Sequence, residues 1–268
     1  MPAVGDRRQG LRQDARGGNP NILSVDIGGT LIKAAIIDRS GALVSEFVTT
    51  PTPHPATPDT VIALITRIAA PLPDFGLISV GFPGVVHRDH IATAPNLGTE
   101  HWKNFDLEQA LHDTFGAPVR ILNDAIVYGL GVAQGPGREC VLTFGTGMGC
   151  ALFNDGAIFC GLELGQHYAR DGQNYDQYVG HAAYLELGLE AWNARAERAI
   201  MAVHALTNSD RIYLGGGNSR RISFALPEWA TIVQPSSGVA GGARLWHSDM
   251  DRRFEPRQPA IEETQVRA

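Results

Sequence analysis

The chain has 268 residues, 44% hydrophobic and 19% charged, with a net charge of −6 and a pI near 5.8. That length admits two modest lobes or one large domain with a real core. The acidic balance argues against a nucleic-acid partner, which calls for a basic stripe, and no apolar run approaches the roughly eighteen residues of a membrane span.

Residues 1–20 are polar and glycine-rich and lack the apolar stretch of a leader peptide, so the expectation is a disordered arm. Asn21 to Ile27 alternates apolar and polar residues, and Leu31 to Ile37 is β-branched. Gly28, Gly29 and Thr30 between them predict a β-hairpin. A third strand is expected over Leu43 to Thr49, after the Ser40-Gly41 turn. Helical spacing follows from Thr60 to Ala70, ended by Pro71 and Pro73. Leu77 to Gly81 reads as a buried strand. Asp106 is placed to cap a helix from Leu107 to Phe115, ended by Gly116. Val119 to Leu122 is a strand running into Asn123-Asp124, and a helix is expected from there to about Val132.

The second half repeats the opening. Glu139 to Phe144 predicts a strand, Gly145 to Gly149 a glycine turn, and Cys150 to Asn154 a strand. Ala157 to Leu162 follows the Asp155-Gly156 turn. Strand, glycine turn and strand therefore occur twice, an internal duplication. A long helical region is expected from Tyr175 to Leu206. The strand Arg211 to Leu214 ends in Gly215-Gly216-Gly217-Asn218, which is expected to open a helix. A last strand covers Thr231 to Val233 and a last helix Gly238 to Trp246. Alternating strands and helices in two halves predict an α/β protein of two lobes facing a cleft. The expected boundaries are 21–122 for a small lobe, with helix 238–249 returning to it, and 123–237 for a large one. Residues 250–268 form a polar tail.

The glycine turns carry the chemistry. A glycine turn lets backbone N–H groups approach an anion without Cβ interference, which suits phosphate. The first, Asp26-Ile27-Gly28-Gly29-Thr30, has no helix after it and does not match a P-loop or dinucleotide fingerprint. Asp26, on an otherwise apolar strand, needs a cation or donors, and magnesium beside a phosphate would serve. The alternative is a plain hairpin with a solvent-facing carboxylate. The second turn, Phe144 to Gly149, adds Thr146. Two such turns in opposite halves could hold a phosphate chain from both sides. The third, Gly215 to Gly217, suits a nucleoside lying on the backbone, or simply close packing. Asn123-Asp124 sits at a strand end, where α/β clefts form. A carboxylate there can act as general base or cap the helix. Lysine occurs only at Lys33 and Lys103. Lys33 either reaches phosphate or points to solvent. Arg220-Arg221 could meet a polyanion or begin a solvated helix. Trp102 and Trp192 are expected to pack. Cys140, Cys150 and Cys160 lack metal or redox spacing and read as reduced thiols of a cytoplasmic protein.

These residues together resemble the ROK family of sugar kinases, within the actin-like (ribonuclease H-like) ATPase superfamily. The match comprises Asp26 to Thr30, Gly81-Phe82-Pro83-Gly84, Pro95-Asn96-Leu97, Asn123-Asp124, Gly145 to Gly149, Glu163-Leu164-Gly165 and Gly215 to Gly217, in order, over residues 21–249. Within the family the chain is most similar to the polyphosphate-glucokinase branch. In many members a histidine after Glu-x-Gly ligates zinc. Here Gln166 holds that position, His167 follows, and no cysteines come next, so no zinc site is expected.

The resemblance implies a hexose kinase, with glucose as substrate, using polyphosphate, ATP or both. It implies Asp124 as the base toward the sugar 6-hydroxyl. Gly84, Asn96, Asn123, Glu163, His167 and Asp176 would line the sugar site. Gly28, Gly29, Thr30, Lys33, Gly145, Thr146, Gly147 and Gly215 to Gly217 would face the phosphoryl donor, with Asp26 positioning Mg²⁺ through water. It also implies a homodimer without membrane or nucleic-acid partners. The alternative is a non-catalytic sugar-binding protein or regulator on the same fold. A regulator would carry a helix-turn-helix, and only about twenty residues precede the first strand.

Overall fold

The computed structural model describes residues 19–87, 90–234 and 238–254. Most of the expected N-terminal arm and the tail beyond residue 254 lie outside them. Two five-stranded sheets organise the chain. In the first, β1 (Ile22–Ile27), β2 (Leu31–Ile37) and β3 (Val48–Pro51) are antiparallel. β4 (Leu77–Phe82) and β7 (Val119–Asn123) then extend it parallel to β1. Between these two, β5 (Val86–His87) and β6 (His90–Ile91) form a small ribbon.

The second sheet repeats the plan. β8 (Arg138–Phe144), β9 (Met148–Asn154) and β10 (Ala157–Leu162) are antiparallel. β13 (Arg211–Gly215) and β14 (Ala230–Ile232) run parallel to β8. The orders β3-β2-β1-β4-β7 and β10-β9-β8-β13-β14 are the same topology, so the duplication visible in two hairpins extends to whole sheets. A ribbon of β11 (Tyr168–Arg170) and β12 (Gln173–Asn174) lies outside both.

Helices α1 (Pro58–Ala69) and α3 (Leu107–Phe115) cover the first sheet, with the one-turn α2 (Thr99–Trp102) between them. Val61, Ile65 and Ile68 of α1 face Leu23, Val25 and Ile27 at helical spacing. Asp106 caps α3 by accepting from Gln109 N at 2.9 Å, and Gly116 ends it at φ 68°. Such a cap stabilises a helix by about 1 kcal/mol. Trp102 is buried here and donates to Ala56 O, while Trp192 is buried in the second core and donates to Val179 O. Both tryptophans pack, as expected. Helix α4 (Asp124–Leu130) leaves β7 and packs on β8 and β9. Cys140, Cys150 and Cys160 are free thiols, the first two buried. Among the described residues no helix is long and apolar enough to cross a membrane.

The sequence reading departs from the structure in five places. The strand expected over 43–49 forms only at 48–51, because the Ser45 hydroxyl and amide take up Ile36 N and Ile36 O and replace the ladder. The long helical region is broken into α5 (Tyr175–Val179) and α6 (His181–Thr207), and α6 kinks at Gly188. Gly180 lies against the Thr146 carbonyl, where a side chain would clash. The third glycine turn opens only a 3-10 turn, Ser219–Arg221, rather than a helix. The last helix shrinks to α7 (Gly241–Arg244). Finally, Asp251–Phe254, expected to fray, forms a turn of helix, α8. There the Arg120 guanidinium bonds Asp251 at 2.8 Å and stacks on Trp246 and Phe254.

Candidate active site

Sheet register brings Asp26 and Asp124 together. Asp26 pairs with Gly81 across β1 and β4, and Asn123 pairs with Phe82 across β4 and β7. Gly81 therefore lies between the two acids. A Cβ on Gly81 would sit 3.3 Å from Asp124 Cα and 3.7 Å from Asp26 Oδ1. The helix cap is Asn123, one residue before the aspartate: its Oδ1 accepts from Ala125 N and Ile126 N. Asp124 is the first helical residue, and its Oδ1 takes Ala125 N at 2.8 Å.

Burial pushes the Asp124 carboxyl up to about 8, and the negative charges of Asp26 and Glu163 add to it. A carboxylate poised near neutrality suits a general base. Burial also raises Asp26, while Lys33 opposes the shift. Asp26 nevertheless keeps 56% of its side-chain surface open, so solvent screening tempers that effect. Lys33 stands opposite Asp26 across the hairpin, with Nζ 3.8 Å from Oδ2. It thus answers the acid rather than pointing away. One open carboxylate between two backbone turns fits a magnesium ion, which keeps waters and takes its other ligands from phosphate.

The first turn closes on itself: Gly28 N donates to Leu31 O at 2.9 Å, and buried Thr52 donates its hydroxyl to Gly28 O at 2.6 Å. The second is held from outside. Asp176 accepts from Met148 N at 2.7 Å and from Gln166 Nε2 at 2.6 Å, and its carboxylate crowds Gly147. His181 N, at the start of α6, donates to the Gly145 and Thr146 carbonyls. Asn218, from the third turn, donates its side chain to Gly145 O at 3.2 Å. The two turns meet: Thr30 Oγ1 and Thr146 Oγ1 are 2.8 Å apart, and Gly29 faces Asn96 and Thr146.

Of the residues expected at a sugar, Asn123, Gly84 and Glu163 lie beside Asp124, and Asn96 lies against Gly29 of the first turn. Asn123 Nδ2 donates to Gly84 O at 3.3 Å and approaches Glu163 Oε1 at 3.5 Å. Burial and the nearby Asp176 raise Glu163. Gly84 is buried against Thr93 and Ala94. His167 is exposed, its ring against Tyr168 O. Asp176 lies under the second turn, close enough to Glu163 to raise it, with both oxygens engaged. Arg221 is spent on Asn218 and on the Tyr184 ring and hydroxyl, whereas Arg220 is exposed. Two participants were not singled out in the sequence: Asn218, which laces the third turn to the second, and Tyr128, which packs on Gly215. Tyr128 lies four residues after Asp124 on a helix, a spacing that places both on one face.

Residues 22–168 match the ROK family. The chain belongs to that family. Polyphosphate glucokinase of Mycobacterium leprae (strain TN) is 28% identical over 243 residues, covering 84% of this chain and 74% of that protein. Among solved structures, the inorganic polyphosphate/ATP-glucomannokinase of Arthrobacter sp. strain KM superposes with a TM-score of 0.76 at 29% identity, over 84% of this chain and 98% of that one. The ROK family glucokinase of Streptomyces griseus, solved with glucose and AMPPNP, shares the fold at 19% identity, with a TM-score of 0.67 and coverage of 84% and 98%. The fold is the two-lobed, actin-like ATPase fold expected from the sequence.

Proposed function

We propose that the protein is a hexose kinase, acting on glucose with polyphosphate or ATP as donor. The observation that carries this reading is Asp124, raised to about 8 and set across Gly81 from Asp26, the residue that leads into the first glycine-threonine turn. Phosphoryl transfer needs positioning and charge stabilisation more than covalent help. Asp124 takes the proton of the sugar 6-hydroxyl as the oxygen–phosphorus bond forms. The bridging P–O bond breaks, and its electron pair leaves on the remaining phosphate chain. Asn96, Asn123, Glu163 and His167 supply polar groups to the other hydroxyls, beside Gly84. Asp176 serves the site by holding the second turn.

Gly28 to Thr30 and Gly145 to Gly147 receive the donor phosphates, with Lys33 and Asp26 beside them. Magnesium, held by Asp26 through water, would neutralise phosphate charge there. Closure of the lobes, expressed in the Thr30–Thr146 contact, keeps water from the phosphate. Exposed Leu185 and Leu189 on α6 supply the face for a homodimer.

The test is an assay with glucose and Mg²⁺, giving ATP and long-chain polyphosphate in parallel. Sugar phosphate should form and fall by about 10²–10⁴-fold in Asp124→Asn, the usual contribution of a general base. A folded protein that makes no product across several hexoses with either donor would sink the reading.

A further inference from the structure

The third glycine turn stands at the cleft end of β13, where a nucleoside could lie on bare backbone. The structure closes most of that surface. A Cβ at Gly215 would collide with the Tyr128 ring and come within 2.6 Å of its hydroxyl oxygen. Gly238 presses on the ring from its other edge. Gly216, at φ +82°, is blocked by the backbone of Phe144. The Tyr128 hydroxyl donates to Gln234 O at 3.1 Å. The phenol tip is thus engaged, and the ring is held between two glycines. Across the three turns, only Gly145 and Gly217 face open space. Arg220, three residues beyond Gly217, is exposed.

We infer that Tyr128 determines donor specificity, its ring filling the surface of Gly215 that a nucleoside would need and so favouring a linear inorganic polyphosphate over a nucleoside triphosphate. This rests on the kinase reading above. A phosphate chain needs amide N–H groups and cations rather than a flat apolar bed, and Gly217 and Arg220 offer these. A nucleoside has to displace a ring that is packed on both edges and hydrogen-bonded at its tip.

The experiment compares the intact protein with Tyr128→Ala and Tyr128→Phe. Steady-state kinetics on glucose are run with ATP and with polyphosphate, and calorimetric binding of Mg·ATP and Mg·tripolyphosphate is measured separately. Tyr128→Ala should raise the ATP-to-polyphosphate ratio of kcat/KM, and the matching ratio of affinities, by roughly tenfold, the scale of one apolar contact regained. Tyr128→Phe, which keeps the ring, should move the ratio far less. An alanine variant whose ratio stays level or falls overturns the inference, as does a phenylalanine variant that shifts it equally. If alanine does not fold, Tyr128→Leu makes the same comparison without the aromatic plate. Absence of turnover with both donors defeats the kinase reading, and the binding ratio still decides the role of Tyr128.

Discussion

The two strand–turn–strand units look alike in sequence and sit in sheets of the same topology, yet they are held in opposite ways. The backbone of the first turn is held locally, by Leu31 and by Thr52 on the segment that follows the neighbouring strand, with the Thr30 hydroxyl alone reaching across to Thr146 among the described residues. The second depends on groups far along the chain: Asp176, Gln166, the start of α6 and Asn218. A duplicated element therefore need not carry a duplicated support. One half can keep a self-contained turn while the other is tied to loops far along the chain.

Four measurements sharpen that contrast. The largest effect should come from Asp176→Ala, which leaves Met148 N and Gln166 without their acceptor. Hydrogen bonds to a charged group contribute about 1.5–3 kcal/mol, so urea unfolding should show a loss of that order, together with a rise in donor KM. An unchanged donor KM would show that the second turn needs no outside brace.

The next effect is electrostatic. The Glu163 charge helps raise Asp124, so Glu163→Gln should move the acid limb of the kcat/KM profile to lower pH. The sign for stability follows the same shift. A carboxyl raised in the folded state stabilises the protein fully below its unfolded value, and that stability is lost as pH climbs from about 4 towards about 8. In Glu163→Gln this loss should be smaller. A limb that stays in place would remove Glu163 from the field at Asp124.

Gln166→Leu should have a smaller effect, weakening donor binding a few-fold while Asp176 still holds Met148 N. Loss as large as in Asp176→Ala would mean that the amide, not the acid, is the brace. Smallest is Thr52→Val, which removes one buried bond to Gly28 and should reduce stability by about 1 kcal/mol with little change in donor KM. A large kinetic effect there would erase the distinction between the two turns.

Much of this was legible in the sequence because the signals are local. Alternation and β-branched residues marked β1 and β2, the glycine turn between β8 and β9 marked those two, and Asp106 with Gly116 bounded α3 to the residue. Asp26 and Asp124 were marked by being acids at strand ends. What stayed hidden depends on distant partners. Ser45 redirects the chain before β3 only because Ile36 is beside it. The break at Gly180 reflects the carbonyl of Thr146. The pairing of Lys33 with Asp26 follows from hairpin register, but the bracing role of Asp176 could not, since Met148 meets it across 28 residues. Tyr128 reads as an ordinary helix residue until the third turn is seen lying on it.

The end of the chain has a consequence for how the protein is made. Ile22, Ile37 and Leu77, on the first sheet, are covered by Ala243, Val239 and Trp246. Ser79 donates to Gly242 O, 163 residues later. At ribosomal speeds of about 5–20 residues per second, that separation is roughly 8–30 seconds of synthesis. From Asn123 onward in that interval the first sheet is complete in its strands but bare on one apolar flank. A segment synthesised long after the first sheet is thus the one that seals the first lobe, and a nascent chain stalled before residue 238 would present that flank to chaperones.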